Sequence, residues 1–246
     1  MTTVADLPAN VRVSSHPCLQ AKLSQLRSAK ASARDVKALI HEISTILGCE
    51  ALASAIVSAP GPKEKTPLGF EYTTTDIHPK TMSLVPILRS GLGMVDGMLF
   101  SPPHRPHALP HPSHSPRAVP VHHLGLYREP TTLEPVEYYN NLSSHAADPE
   151  DPSPNSASSL AIILDPIIAT GGTSVAAIQT LREWGAQRIL VISILGAASG
   201  LKHAAEEWPE GTEIWVAGVD EEITSGGMIK PGLGDVGDRL FLTVGK

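Results

Sequence analysis

With 246 residues, 41% of them apolar, and a net charge of −6, the chain is long enough to bury one sizeable core and too acidic to present a broad field for a polyanion. These values argue against a nucleic-acid partner, and no apolar run approaches the roughly 20 residues expected of a membrane span. The opening MTTVADLPANVRV lacks the charged-then-apolar form of a signal peptide, and the two cysteines, Cys18 and Cys49, lack metal-ligand spacing. A cytoplasmic location is therefore expected, with both thiols as small buried residues.

Taken in chain order, residues 36–57 read as one or two helices, 82–88 as a strand and 92–99 as a short helix. Residues 101–120 hold seven prolines together with His104, His107, His111 and His114, a composition that cannot build a packed core. Proline denies these histidines a regular helical face, so an insertion is expected there rather than a zinc site. A strand is expected over 118–124, a second Ser/Pro-rich insertion over 143–159, and further strands over 160–164, 188–195 and 213–219. Residues 200–208 read as a helix. Strands spaced by helices predict an α/β fold with a mostly parallel sheet flanked by helices, one domain over 1–246, and ligands at the carboxyl ends of the strands.

The stretch LAIILDPIIATGGTSVAAIQTLREWG, residues 160–185, carries the most chemistry. An apolar strand ends at Asp165, and Thr170, Gly171, Gly172, Thr173 and Ser174 open a helix in which Val175, Ile178 and Leu181 recur at helical spacing. Unpaired N–H groups at such a helix start suit a phosphate, the glycines permit close approach, and the hydroxyls donate further hydrogen bonds. A carboxylate would repel phosphate, so Asp165 is expected to accept from sugar hydroxyls or to hold a metal ion. A sugar diol beside a phosphate implies a ribose phosphate. The chain has no GxxxxGK[ST], and the GxGxxG of Gly232, Gly234 and Gly237 has only nine residues after it, too few for a dinucleotide-binding unit. Arg89 follows the strand 82–88 and precedes Ser90-Gly91-Leu92-Gly93, a second candidate anion site.

The Asp-Pro-x-x-Ala-Thr-Gly-Gly loop at residues 165–172 resembles the phosphoribosyl-pyrophosphate signature of type I phosphoribosyltransferases, in the variant of the uracil phosphoribosyltransferase family, with Pro166 replacing a second acid. Three further blocks agree in family order: VPILRSGLGMVDGML (85–99), LYREPTTLEPVEYY (126–139) and PGLGDVGDRLF (231–241). The resemblance spans roughly residues 11–243 and implies transfer of phosphoribosyl to uracil with release of pyrophosphate, in pyrimidine salvage.

By that resemblance Arg89 and Arg128 touch the pyrophosphate, and Asp165, Pro166, Ile167, Ile168, Ala169, Thr170, Gly171, Gly172, Thr173 and Ser174 hold phosphoribosyl pyrophosphate. Ile229, Gly234, Asp235 and Val236 face uracil, in an irregular C-terminal loop, and Asp235 also faces the sugar diphosphate. Arg128, Asp165 and Asp235 are the catalytic candidates. The resemblance further implies Mg²⁺ with the substrate, GTP as an activator in some relatives, and a homodimer or higher homo-oligomer. Met228 stands where the family usually has Tyr, Lys230 where it has an apolar residue, Val236 where it has Ala and Thr224 where it has Asn. These departures leave open a phosphoribosyltransferase for another base, or a catalytically inactive ligand-sensing relative. Asp238 and Arg239 are expected to pair with each other.

Overall fold

The runs of Leu, Ile and Val in this sequence carry alternate residues to opposite faces of one sheet, and both faces are covered. The structure, a computed structural model, describes residues 6–99, 119–129, 135–143 and 158–243. Almost all of the two expected insertions, including His104, His107, His111 and His114, lies outside the described residues.

The N-terminal part contains β1 (Val11–Val13), α1 (Pro17–Leu26) and α2 (Ala33–Ala55), then a hairpin of β2 (Val57–Lys65) and β3 (Glu71–His78). The central part contains β4 (Met82–Leu88), α3 (Leu92–Leu99), β5 (Leu124–Arg128), β6 (Pro135–Asn140), β7 (Leu160–Leu164), β8 (Ile167–Ile168) and α4 (Gly172–Trp184). The chain continues through β9 (Arg188–Ala197), α5 (Ala198–Glu206), β10 (Thr212–Asp220), the short pair β11 (Glu222–Ile223) and β12 (Ile229–Lys230), and α6 (Val236–Phe241).

The main sheet runs β1-β10-β9-β7-β4-β5-β6, with β8 against β9. All its pairings are parallel except that of β6, which runs antiparallel to β5 at the edge. Along the central strands Leu84, Ile162 and Leu190 face a core shared with α1, α2 and α3, whereas Val85, Ile163 and Val191 face α4 and α5. Such two-sided burial is the reason these strands read as unbroken apolar runs.

Helix α2 starts with a reciprocal cap: Ser32 Oγ accepts from the Asp35 N–H, and the Asp35 carboxylate accepts from the Ser32 N–H. Within the 23-residue α2 the most apolar 18-residue window has a mean hydropathy of 1.2, enough to span a membrane by length and composition, although Arg34, Asp35, Lys37, Glu42 and Glu50 interrupt its apolar run. Its face Val36, Ile40, Ile43 and Leu47 is instead buried against the sheet and the neighbouring helices.

Three further expectations are corrected. Cys18 and Cys49 are exposed, because the inward positions of their helices are taken by Leu19 and by Leu47 and Gly48. The strand expected over 118–124 begins only at Leu124, since Pro120 lacks an N–H and only a bridge between Val121 and Leu84 precedes it. The C-terminal loop is also less irregular than expected, as it contains β12 and α6.

Candidate active site

The sheet order reverses between β4 and β7: the chain leaves β4 toward β5 on one side and β7 toward β9 on the other. A crevice opens at the carboxyl ends of strands at such a reversal. Leu88 ends β4, Leu164 ends β7 and Arg128 ends β5, so Arg89, Asp165 and Arg128 stand at the ends of three adjacent parallel strands.

A cleft of about 320 Å³ lies there, lined by Arg89, Ser90, Leu126, Tyr127, Tyr138, Asp165, Ile167 to Gly171, Thr173, Ser174, Met228 and Gly234 to Gly237, together with Ile87 and Leu88. It therefore gathers most of the residues singled out in three of the four sequence blocks. Pro166, Gly172 and Ile229 do not line it. The Pro166 carbonyl accepts from the N–H groups of Ile194 and Leu195, Gly172 begins α4, and Ile229 is buried in the core. The backbone of Arg128 reaches the end of β5, but its side chain lies outside the described residues.

Asp165 is buried at 7% exposure, and its Oδ1 accepts from the Ile167 N–H at 3.4 Å. The loop after it turns into α4 through Gly171, whose φ of 86° places it in the left-handed region that favours glycine. Gly171 has no side chain with which to cap α4, so the first N–H groups of this 13-residue helix are open to a ligand. Helix α5 closes against the loop from behind: a Cβ on Gly200 would lie 2.0 Å from the Ala169 carbonyl, and His203 Nδ1 is 3.0 Å from the Thr170 carbonyl.

Across the cleft, the peptide between Leu88 and Arg89 is cis. The Arg89 guanidinium does not stand alone. It reaches Asp238 Oδ1 at 3.3 Å and Thr243 Oγ1 at 3.3 Å, and Thr243 also bonds Asp238. The expected local pair of Asp238 with Arg239 is therefore corrected: α6 turns the two side chains to opposite partners. Arg239 donates to the carbonyls of Leu26, Ser28 and Leu233, and burial pushes its pKa below the usual arginine value.

Asp235 caps α6 by accepting from the Asp238 N–H at 2.9 Å, and Val236, the first helical residue, is buried at 3% exposure. Lys230 points away from the cleft to Glu222 at 2.8 Å, an ion pair that raises its pKa, so its charge is spent outside. Thr224 Oγ1 accepts from the Met228 N–H, closing the turn that sets Met228 in the cleft wall.

Two aromatic wall residues, Tyr127 and Tyr138, were not assigned a site role from sequence. Their rings lie 6.0 Å apart, and Gly125 leaves room for the Tyr138 ring, which a Cβ there would meet at 2.7 Å. The available signals are Leu-Tyr-Arg at the start of the block 126–139 for Tyr127 and Glu-Tyr-Tyr at its end for Tyr138.

The family model described as uracil phosphoribosyltransferase matches residues 13–243. A uracil phosphoribosyltransferase of Thermoanaerobacter sp. (strain X514) is 38% identical over 238 residues, covering 95% of this chain and 98% of that protein. One from Brevibacillus brevis is 36% identical over 238 residues, covering 96% and 99%. Among solved structures, the AQ2163 protein from Aquifex aeolicus superposes with a TM-score of 0.78 at 28% identity, covering 95% of this chain and 98% of that one. Adenine phosphoribosyltransferase from Trypanosoma brucei, at 15% identity and a TM-score of 0.50, covers 89% and 87% and shares the fold. A family match over nearly the whole length, and curated relatives that align end to end with it, show that the chain belongs to the uracil phosphoribosyltransferase family.

Proposed function

We propose that this chain transfers the 5-phosphoribosyl group of phosphoribosyl pyrophosphate to uracil, giving UMP and pyrophosphate in pyrimidine salvage. The observation that carries this reading is the meeting, in one cleft, of the Asp165 to Ser174 loop, Arg89 and the Gly234 to Val236 segment. The first suits a ribose phosphate, the second an anion and the third an uncharged base.

In the reaction the bond from the anomeric carbon to pyrophosphate breaks, its electron pair leaves with pyrophosphate, and a bond from uracil N1 forms as the N1 proton passes to the departing pyrophosphate. Positive charge spreads over the ribosyl carbon and ring oxygen in between, so no covalent nucleophile from the protein is required. Arg89 and Arg128 hold the departing pyrophosphate, because guanidinium remains protonated and donates to two oxygens at once. The open N–H groups of α4 and the hydroxyls of Thr170, Thr173 and Ser174 hold the 5-phosphate, and Asp165 accepts from the ribose hydroxyls. Gly234, Asp235 and Val236 border the base, which backbone groups can read through its N–H donor and flanking carbonyls. Ile229 supports that segment from the core.

Among the described residues no three His, Cys, Asp or Glu side chains cluster to hold a metal by themselves. Mg²⁺ carried chiefly by substrate phosphates needs only one or two protein carboxylates, and Asp165 and Asp235 both line the cleft. The ion would neutralise charge on the pyrophosphate as it leaves.

The remaining parts of this reading have their own supports. A single domain with two insertions accords with the two core clusters on one shared sheet. A homodimer or higher homo-oligomer accords with the β2–β3 hairpin, which exposes Val57, Leu68, Phe70 and Tyr72. A cytoplasmic location accords with the two-cysteine composition, and GTP activation rests on family resemblance alone.

The test is UMP formation from uracil, phosphoribosyl pyrophosphate and Mg²⁺ by the purified protein and by its Asp165→Asn variant. We expect turnover by the first and at least about tenfold less by the second, about 1.4 kcal/mol of transition-state stabilisation. Equal turnover at saturating substrates would remove Asp165 from the mechanism.

A further inference from the structure

We propose that Arg27 and Asp220, neither of which lines the cleft, are positioning residues that set the base-bordering segment for uracil; the inference rests on the reading of Gly234 to Val236 given above. Asp220 ends β10 and is buried at 9% exposure, and Arg27 follows α1. The guanidinium meets the carboxylate through two bonds, Nη1 to Oδ2 at 2.8 Å and Nη2 to Oδ1 at 2.7 Å. This paired charge then engages one residue of the loop on both sides of its backbone. Arg27 Nη1 donates to the Gly232 carbonyl at 3.0 Å, and the Gly232 N–H donates to Asp220 Oδ2 at 2.9 Å.

A pair needed only for stability would be complete without the loop. Here the loop completes it, because the carboxylate and the guanidinium each have a lone pair or N–H left over for Gly232. No other residue fits: φ at Gly232 is 68°, and a Cβ there would lie 2.2 Å from the Ile229 carbonyl. Two residues further on, the chain borders the base. Arg239 fastens the same segment as well, holding the Leu233 carbonyl at 2.8 Å to the same α1 terminus through Leu26 and Ser28. The segment is thus fixed before any substrate arrives, which spares binding the cost of ordering it. Because the bonds reach Gly232 and not the α4 loop, their loss should weaken the base far more than phosphoribosyl pyrophosphate.

The test measures KM for both substrates and kcat for Arg27→Gln, Arg27→Lys and Asp220→Asn, together with amide hydrogen exchange in the full chain. Arg27→Gln is expected to raise KM for uracil at least about tenfold while KM for phosphoribosyl pyrophosphate moves less than about twofold. Arg27→Lys, which keeps the charge but not the fork, should show the same split at smaller amplitude, as should Asp220→Asn. If Arg27→Gln fails to fold, these two milder variants decide. Exchange should quicken over residues 229–236 and stay unchanged over 170–174. Equal rises in both KM values, or unchanged exchange over 229–236, would overturn the proposal. If the wild-type protein makes no UMP, the function assigned above fails by itself, and hydrogen exchange still decides whether Arg27 and Asp220 hold the loop.

Discussion

Arg89, which lines the cleft, and Asp238, 149 positions away in the chain, meet at 3.3 Å, and Thr243 bonds both. The contact ties the end of β4, where the pyrophosphate is assigned, to α6, whose first residue is assigned to the base. The pair is half exposed, so its contribution to stability is small, and its main consequence is the direction in which the guanidinium points. Arg89→Gln is expected to lower kcat/KM for phosphoribosyl pyrophosphate more than about tenfold, about 1.4 kcal/mol. Asp238→Asn should change the unfolding free energy by less than about 1 kcal/mol. Steady-state kinetics and denaturant melts check the two, and unaltered kinetics for Arg89→Gln would remove it from the pyrophosphate site.

The seam between α5 and the loop from Asp165 to Ser174 leaves no space at Gly200. A methyl group there would press on the Ala169 carbonyl at 2.0 Å, and backbone must move to admit it. Gly200→Ala is expected to cost about 1–3 kcal/mol in stability and to raise KM for phosphoribosyl pyrophosphate, since the displaced loop is the one assigned to the 5-phosphate. Thermal melts and kinetics on the same sample check it. A variant with wild-type stability would show that the seam yields.

Val236 has its side chain both in the core and in the cleft wall. Val236→Ala removes two methyl groups from that boundary, at a cost of about 1 kcal/mol. KM for uracil should change more than KM for phosphoribosyl pyrophosphate, because the methyls border the base segment and not the phosphate loop. Equal changes in both would contradict the assignment of the base to this wall.

His122 packs edge-on against Trp184 at 5.2 Å. Desolvation lowers its pKa below the ordinary 6.5; a hydrogen bond with the Asn141 backbone opposes the shift and neighbouring His123 adds to it. The unfolded chain therefore takes up the proton more readily than the folded one. Stability present above pH 6.5 is lost as pH falls through the lower folded pKa. The melting temperature of the wild type should fall more steeply than that of His122→Phe between about pH 7 and pH 5, since Phe keeps the ring contact without the proton. Parallel curves would show that His122 does not contribute.

The features most legible in the sequence were those set by local pattern. The strands 82–88 and 160–164 and the helix 92–99 have the bounds expected, because burial on both faces leaves an uninterrupted apolar run in each strand. The loop from Asp165 to Ser174 was legible for the same reason, as its glycines and hydroxyls are adjacent in sequence. The β2–β3 hairpin was not legible, because it is largely exposed and carries Pro60, Gly61 and Pro62 inside a strand, where the register shifts. Long-range partners were equally hidden. Nothing adjacent to Asp238 points to Arg89, and nothing adjacent to Arg27 points to Asp220. Fold proximity created both pairs.

Uracil as the accepted base is best checked by competition among free bases. The purified protein is supplied with phosphoribosyl pyrophosphate, Mg²⁺ and equimolar uracil, cytosine, orotate, adenine, guanine and hypoxanthine, and the nucleotides formed are resolved by mass. UMP is expected as the dominant product, with pyrophosphate released in equal amount. A different nucleotide as the dominant product, or none from any base, would contradict it.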